Sequence, residues 1–466
     1  FFIVATWHAA FFGCGNNMNQ STNGRYNLIT ALAMIVGIVI GSGIFFKADN
    51  VLKYTNGNVA LGVGVFVLAA VAIIFGSLSI AELAKRTDAH GGLIGYADEF
   101  VSPHFSTMIG WFQLFLYYPT LGVVVTWVVG IYTALLFGVK EASLELQMGI
   151  GLTWFVICYL FNVMAAVFAG RFQVFATVVK LIPLFVLGVM AFVYGDPVAA
   201  LTHPSEPARQ ATQSLAWLGA IGPIAFSFDG WVVSTSISGE IKHAKRNLPI
   251  ALVVAPMLIL LSYLLYFVGL TSYLGAAKVM ALGDESVYVV ATQLFGETAA
   301  KAFLVFVVIS VMGTVNGLVL GLIRLPHSLA RKSLIPFSAQ LRQVSPNYQL
   351  SVGAALLGFV LSMFWAAVHY AVMKSQLLGD MDISEIAIVV SYLLYLVFYF
   401  AVFRLWQRGH IKSMLLGVIS PILAALGSLM VVFGGMQNPL FLPVCLPICA
   451  LVLLLAYFYS RYLHSR

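Results

Sequence analysis

Charged side chains are scarce in this sequence. Only 9% of its 466 residues are charged and 61% are hydrophobic, whereas a soluble domain carries about 25% charged residues. A soluble fold of this length must cover its surface with polar groups. The deficit therefore excludes a soluble enzyme, a nucleic-acid-binding protein and a disordered chain. The composition predicts a multi-pass membrane protein. We do not expect an enzyme.

Cysteine is also rare. The four cysteines are Cys14, Cys158, Cys445 and Cys449, and none falls in a predicted outer loop, where disulfides usually form. Cys445 and Cys449 are four residues apart, but no His or carboxylate accompanies them. The sequence therefore predicts neither a metal site nor a cofactor.

The ten-residue alternating segments of membrane barrels are lacking. The chain instead contains continuous apolar runs of about 20 residues or more, enough to cross ~30 Å of hydrocarbon as helices. Twelve spans are predicted, at Leu28–Phe46, Val59–Leu83, Phe105–Phe137, Met148–Ala169, Phe172–Tyr194, Gln213–Ser238, Leu248–Leu274, Ala299–Leu325, Val352–Ala371, Ile383–Phe403, Met414–Gly435 and Phe441–Leu463.

The basic residues are distributed unevenly between the predicted loops. With the N-terminus placed inside, 16 of the 24 Lys and Arg residues fall on the inner side, seven fall outside, and Lys180 lies within a span. By the positive-inside rule, both termini are expected in the cytoplasm. We expect the cell membrane as the location, and specifically the inner membrane of a bacterium.

Residues 1–27 form a predicted N-terminal tail that fits this pattern poorly. Phe1 to Phe12 are apolar but too few to span, and no basic segment precedes them as in a signal peptide. We expect residues 1–17 to be an artefact of the translation start, with a genuine interfacial segment as the alternative, followed by an ordinary polar tail.

The first span contains residues that a plain membrane helix would not favour. Gly41-Ser42-Gly43 lies between Ile40 and Ile44, and glycines weaken a helix while allowing a ligand close to the backbone. If the helix unwinds there, the half beginning near Ser42 presents free N–H groups and a positive dipole end. This arrangement suits a carboxylate.

The sixth span is interrupted in a similar way. Gly222-Pro223 precedes Phe226-Ser227-Phe228-Asp229-Gly230-Trp231, and the exposed carbonyls of a second break would suit an ammonium group. The alternative for either span is that Gly and Pro merely permit close helix packing.

The two interruptions occupy corresponding positions if the first ten spans form two five-helix repeats. The repeats would cover residues 28–194 and 213–403, with two further spans in 413–463. Interrupted spans at matching positions indicate a transporter site near the membrane midplane. Such a site would bind the zwitterionic head of an amino acid, with the substrate side chain towards Phe226, Phe228 or Trp231.

Both interrupted segments resemble the unwound helices of the amino acid–polyamine–organocation superfamily. Further similarities lie in Gly91-Gly92 with Tyr96, in Glu240-Ile241-Lys242 running to Pro249, and in Gly313-Thr314-Val315-Asn316-Gly317 with Arg324. The last of these resembles the L-type branch, and the whole is similar to bacterial alanine–serine–cysteine exchangers. The resemblance implies a leucine-transporter-like fold of twelve helices: a five-plus-five inverted repeat with helices 1 and 6 unwound, plus two C-terminal helices. It also implies alternating-access exchange.

Two charges lie inside predicted spans. Lys180 is about nine residues into the fifth span, or ~13 Å, where an unpaired charge is costly and therefore a candidate functional group. The resemblance implies that its ammonium replaces the sodium ion of related transporters and ties the first helix to the eighth, near Ser310 to Thr314. The alternative is a role in packing. Asp229 is expected to cap the broken helix, with substrate recognition or proton coupling as alternatives.

The resemblance also supplies a gating role for Phe226, and it places Gly313 and Asn316 in the eighth helix as coupling residues. Animal L-type transporters bind a heavy subunit through a Cys in the loop after the third span. Residues 138–147 contain no Cys, so no disulfide-linked subunit is expected.

The predicted function is sodium-independent exchange of small neutral L-amino acids, such as alanine, serine, cysteine and glycine. Three alternatives remain: a proton-coupled symporter in which Asp229 or Glu82 titrates, an amino acid sensor without transport, and a channel. Glu82 is expected to pair with Lys85 or Arg86. No filter sequence or ring of pore charges supports the channel.

Overall fold

The computed structural model describes residues 27–41, 43–87, 92–164, 166–232, 241–346, 348, 350–378 and 382–465. Within these residues the chain is built mainly from helices, with an isolated strand-type bridge between Ser345 and Leu350. Lipid offers the backbone no hydrogen-bond partners, so long apolar segments satisfy their own peptide groups by forming helices.

The α-helices of the described residues are numbered here α1 to α20 in chain order. The first ten are α1 (Leu28–Val39), α2 (Gly43–Tyr54), α3 (Val59–Ala84), α4 (Leu93–Phe100), α5 (Pro103–Phe112), α6 (Tyr118–Leu136), α7 (Leu144–Met164), α8 (Ala166–Tyr194), α9 (Pro197–Thr202) and α10 (Glu206–Gln210). The others are α11 (Ile221–Phe228), α12 (Ala244–Leu274), α13 (Ala276–Leu282), α14 (Ser286–Phe295), α15 (Glu297–Arg331), α16 (Ser338–Leu341), α17 (Val352–Ser375), α18 (Ile383–Gln407), α19 (Ser420–Gly435) and α20 (Leu446–His464).

Tighter and wider helical turns join some of these helices. The 3₁₀ segments are Ala211–Gln213, Ala216–Ala220 and Gly283–Glu285, and the π segments are Gln113–Tyr117, Leu415–Ile419 and Phe441–Cys445. The first π segment joins α5 to α6 without a break, so that the two form one continuous rod.

Nine helical rods within the described residues are long and apolar enough to cross a membrane. They are Val59–Ala84, Pro103–Leu136, Leu144–Met164, Arg246–Leu274, Glu297–Arg331, Val352–Ser375, Ile383–Gln407, Leu415–Gly435 and Phe441–His464. Helices also lie within the other three predicted spans, among them the shorter apolar segments Val178–Tyr194 and Ala216–Phe228. The count of twelve and the inverted repeat stay predictions.

The first predicted span differs from the observed helices in where it ends. The sequence placed its end at Phe46, but α2 continues to Tyr54. The charge of Lys47, which marked the predicted end, is instead buried against two carboxylates. A paired charge does not have to terminate a buried helix.

The rods differ in how much of their surface other helices cover. In the most apolar part of Pro103–Leu136, 89% of residues are buried, and 71% are in Ile383–Gln407, but only 22% are in Phe441–His464. The first two therefore lie centrally and the last at the periphery. Among the central contacts, α1 packs against α8 and α12, and α2 packs against α11.

Candidate functional site

The first predicted break is present between α1 and α2. α1 ends at Val39 and α2 begins at Gly43. A β-carbon on Gly41 would lie 2.6 Å from Thr314 Oγ1, and one on Gly43 would lie 2.5 Å from the Ser227 α-carbon. Both distances exclude any side chain, so the glycines bring the broken backbone into contact with α15 and α11.

The second predicted break follows α11. The helix ends at Phe228, Asp229 is extended with ψ 160°, and Gly230 has a φ of +93° that favours glycine. Trp231 is buried beyond the turn. Residues 233–240, which include the end of the predicted sixth span, lie outside the described residues.

Lys180 lies at the C-terminal end of α1, next to the first break. It lies on α8 with 0% exposure, and its ammonium donates a hydrogen bond to the Gly37 carbonyl oxygen. Because α1 stops at the break, this carbonyl has no helical N–H partner. The position of a cation at a helix C-terminus is electrostatically favourable. Among the described residues the hydroxyls of Ser310 and Thr314 on α15 have no hydrogen-bond partner, and the predicted link from Lys180 to α15 stays a prediction.

Tyr263 on α12 lies between the C-terminal ends of α1 and α11. Its hydroxyl donates to the Ser227 carbonyl oxygen at 2.6 Å and is 3.4 Å from the Val39 carbonyl oxygen. The tyrosine is fully buried. Nothing in the sequence pattern marks this role, because tyrosines in membrane spans usually serve packing.

Asp229 contacts the central rod. Its carboxylate accepts a hydrogen bond from the Tyr117 hydroxyl, and Asp229 is the residue that terminates α11. Tyr117 is the last residue of the π segment that precedes α6. The carboxylate therefore ties the broken helix to Pro103–Leu136, and the capping role expected from the sequence stays a prediction.

The predicted substrate-binding residues are all buried where the structure describes them. They are Ile40, Gly41, Gly43, Ile44, Phe226, Ser227, Phe228 and Trp231. Ser42 lies outside the described residues. The Phe228 ring packs edge-on at 5.0 Å from Tyr263, and the Trp231 ring packs at 5.9 Å from Tyr395. The structure thus surrounds the two breaks with aromatic groups.

Gly313 and Asn316 face neighbouring helices. A β-carbon on Gly313 would lie 2.5 Å from the β-carbon of Ala176 on α8. The Asn316 Oδ1 atom accepts a hydrogen bond from Asn162 Nδ2 on α7 at 2.9 Å. These two residues join α15 to α8 and α7, and neither contact reaches the broken backbone.

A buried ionic cluster near the first break was not predicted. The Lys47 Nζ atom lies 2.8 Å from Asp382 Oδ2 and 2.6 Å from Glu385 Oε1, and all three side chains are at most 3% exposed. The same Nζ atom lies 5.1 Å from the ring centroid of Phe226. This Lys47 cluster joins α2 to the start of α18 and encloses one side of Phe226 on α11.

Two features of the sequence are compatible with the Lys47 cluster, although they do not predict it. Lys47 follows Gly43 by one helical turn, Asp382 directly precedes the tenth predicted span, and Glu385 lies in the first turn of that span. Their pairing depends on contacts between residues 335 and 338 positions apart, which no local pattern reveals.

A second cluster lies at the C-terminal end of α3. The Glu82 carboxylate pairs at 2.6 Å with both Lys85 Nζ and Arg86 Nη1. This Glu82 cluster confirms the predicted pairing. Arg86 also donates to the His410 carbonyl oxygen at 3.2 Å, which links the end of α3 to the loop after α18.

The loop between α3 and α4 is described in part. Gly92 has a φ of +59°, which favours glycine, and Tyr96 is buried. Gly91 and Glu240, two further positions of the resemblance, lie outside the described residues.

The long apolar helices, together with two broken helices in contact at Gly43 and Ser227, define a multi-pass membrane transporter. The N-terminus of α2, which carries a partial positive charge, lies in one buried region with the C-termini of α1 and α11, which carry partial negative charges.

The sequence matches the family model for amino acid permease over residues 26–455. The serine/threonine exchanger SteT of Bacillus subtilis is 27% identical over 425 residues, covering 89% of this chain and 92% of that protein. The human cystine/glutamate transporter is 24% identical over 324 residues, which cover 67% and 62% of the two chains. The human Asc-type amino acid transporter 1 is 28% identical over 323 residues, covering 66% and 59%.

This chain belongs to the amino acid permease family, within the amino acid–polyamine–organocation superfamily. It is a membrane transporter of amino acids and not an enzyme.

Proposed function

We propose that this protein exchanges small neutral L-amino acids, such as alanine, serine, cysteine and glycine, by alternating access and independently of sodium. The observation that carries the proposal is the contact between the two breaks, with Gly43 against Ser227. The relative SteT, named as a serine/threonine exchanger, and the Asc-type transporter support both exchange and small substrates.

The two helix ends match the two charges of an amino acid head group. Free N–H groups at the start of α2 bind the carboxylate, because a helix N-terminus attracts anions. The carbonyls at the end of α11 bind the ammonium. The buried rings of Phe226, Phe228 and Trp231 leave room for a small side chain and disfavour a bulky one.

Lys180 makes the transport cycle independent of sodium. Its ammonium neutralises the carbonyl end of α1 through Gly37, the electrostatic role that a bound cation would otherwise fill. No ion then has to enter or leave during exchange.

The Lys47 cluster closes the outer side of the site. With both termini in the cytoplasm, α2 and the start of α18 lie in the outer half of the membrane, and Lys47 joins them. Phe226 lies beneath the cluster and acts as the gate. Residues 138–147 contain no Cys, so the transporter works without a disulfide-linked heavy subunit.

A Lys180→Ala variant in proteoliposomes tests the proposal. Wild-type exchange of labelled L-alanine should be equal in sodium and choline buffers. The variant loses a charged hydrogen bond, worth about 1.5–3 kcal/mol, and its exchange should fall by about tenfold or more. The matched control is Lys301→Ala, because Lys301 is 52% exposed and pairs only with the neighbouring turn.

Two results would contradict this proposal. Wild-type rates in Lys180→Ala, measured in both directions, would remove Lys180 from the cycle. Uptake into unloaded vesicles driven by a pH gradient would support the proton symporter and make Asp229 the first residue to replace.

A further inference from the structure

An apolar cavity lies behind the first turns of α18. Four helical rods line it, and they contribute among others Thr120 from Pro103–Leu136, Trp365 from α17, Ile383 from α18 and Cys449 from α20. Its volume is about 70 Å³, several times the ~10–15 Å³ that one water molecule needs. The cavity has room for the end of a hydrocarbon chain and too little for a fused-ring molecule.

The polar donors in the cavity wall are used within the protein. The Phe115 carbonyl lacks its usual helical donor because Pro119 has no N–H group, and Trp365 Nε1 donates to it at 2.7 Å. The Thr120 hydroxyl donates to the Leu116 carbonyl at 2.7 Å. The two cysteine thiols of the wall behave as small apolar groups. The wall therefore suits an apolar occupant, since apolar cavities exclude water.

The cavity opens towards the lipid. Cys445 and Cys449 lie deep in the wall with 2% and 1% exposure, whereas Leu377 and Ile448 in the same wall are 48% and 44% exposed. The most apolar parts of the rods that contain α17 and α20 are only 33% and 22% buried. Hydrocarbon surrounds exposed apolar side chains of a membrane-spanning helix, so an acyl chain can enter from the side without moving a polar group.

The cavity and the Lys47 cluster lie on different faces of the same turns of α18. Ile383 and Ala387 line the cavity, while Asp382 and Glu385 pair with Lys47. With 3.6 residues per turn, the two pairs of side chains point about 150° apart. A group that fills the cavity therefore supports the turns of α18 from the side opposite Lys47.

We propose that this cavity binds one acyl chain of a membrane phospholipid, and that the bound chain stabilises the Lys47 cluster from behind α18. Filling a cavity restores the packing contacts that its lining would otherwise lose. Binding of the chain does not depend on the proposed function. Only an effect of the lipid on exchange would rest on it.

The first test fills the cavity with a side chain. Val368 is a half-buried wall residue on α17, and Val368→Phe should place a ring where the acyl chain binds. Val360→Phe is the matched control, because Val360 lies on the same helix with 54% exposure and the change adds the same atoms away from the cavity. Native mass spectrometry with added phosphatidylglycerol should show one retained lipid fewer in Val368→Phe than in wild type or the control.

Val372→Phe repeats this test from the next turn of the wall if Val368→Phe folds poorly. Equal lipid retention by the wild type and the cavity variants would overturn the inference. Retention of a free fatty acid in place of the phospholipid would also overturn it. Absence of exchange in the wild-type protein would overturn the proposed function and leave the lipid count unchanged.

The second test asks whether the chain acts through the Lys47 cluster. Delipidation in detergent should lower the unfolding temperature of wild type and Val360→Phe more than that of Val368→Phe, whose ring stays in the cavity. The combined variant Lys47→Met, Asp382→Asn and Glu385→Gln has no charges left to hold in place, so delipidation should affect it less. Equal destabilisation of this variant and the wild type would overturn the link to the cluster.

Discussion

The Lys47 cluster and the Glu82 cluster contain similar ion pairs in different surroundings. Both have nitrogen–oxygen distances of 2.6–2.8 Å. In the Lys47 cluster every side chain is at most 3% exposed, whereas Lys85 is 33% and Arg86 26% exposed. The Lys47 pairs join distant segments, and the Glu82 pairs lie within four residues. The two clusters therefore have similar geometry, but loss of a partner should cost different amounts of free energy. Water can replace a lost partner only in the Glu82 cluster.

The largest effect is expected for Lys47→Met. The change leaves Asp382 and Glu385 buried without their cation, and breaking a buried pair in this way costs about 3–5 kcal/mol. Thermal unfolding in detergent should show a large loss of stability. We also expect exchange to be lost, because α2 is no longer held to α18.

A triple variant tests the reason for that effect. Lys47→Met combined with Asp382→Asn and Glu385→Gln removes the whole charge set, and uncharged groups of similar size should restore most of the stability. If Lys47→Met alone unfolds at the wild-type temperature, the Lys47 cluster does not stabilise the contact between α2 and α18.

Glu82→Gln should have a smaller effect. Its partners, Lys85 and Arg86, are partly exposed, so water solvates them once the carboxylate is gone. The expected loss is about 1 kcal/mol or less, measured in the same unfolding assay. A loss as large as that of Lys47→Met would show that exposure does not distinguish the two clusters.

The dependence of stability on ionic strength should distinguish the two clusters without further mutation. Raising the ionic strength from 0.1 M to 1 M shortens the screening length from about 10 Å to about 3 Å. The destabilisation by Glu82→Gln should shrink by about half in high salt, while that by Lys47→Met should persist. Parallel unfolding curves at the two salt concentrations provide the measurement, and equal salt sensitivity would contradict the comparison.

Asp284 extends the comparison to pH and should give the smallest effect. It lies partly buried in the 3₁₀ segment Gly283–Glu285, where partial loss of solvent, together with the nearby Asp49 carboxylate, raises the pKa of Asp284 well above its usual range. The folded state therefore holds this proton more tightly, and its stability should fall as pH rises above about 4. Asp284→Asn should flatten this part of the pH–stability curve, and an unchanged slope would exclude Asp284 as its source.

Much of the architecture was predictable from local sequence. Apolar runs located the helices because lipid requires internally bonded backbone. Gly41 and Gly43 and the segment ending at Gly230 located both breaks, because these residues suit close contact or unusual backbone angles. Lys180 was identified by its depth alone, since a charge there needs a partner.

The remaining parts of the site depend on tertiary contacts. Lys47 looked like the end of a span because its carboxylate partners lie on α18. Tyr263 looked like a packing residue because its acceptors lie on two other helices. Asn316 was expected in the coupling machinery; its side chain contacts Asn162 on α7, and the coupling role stays a prediction.

Counter-exchange in proteoliposomes tests the central claim most directly. Vesicles loaded with unlabelled L-alanine and unloaded vesicles would be compared for uptake of labelled L-alanine in sodium-free buffer, with and without a pH gradient. Exchange predicts rapid uptake only into loaded vesicles, at a rate that the pH gradient leaves unchanged. Equal uptake into unloaded vesicles, or accumulation driven by the gradient, would contradict the account.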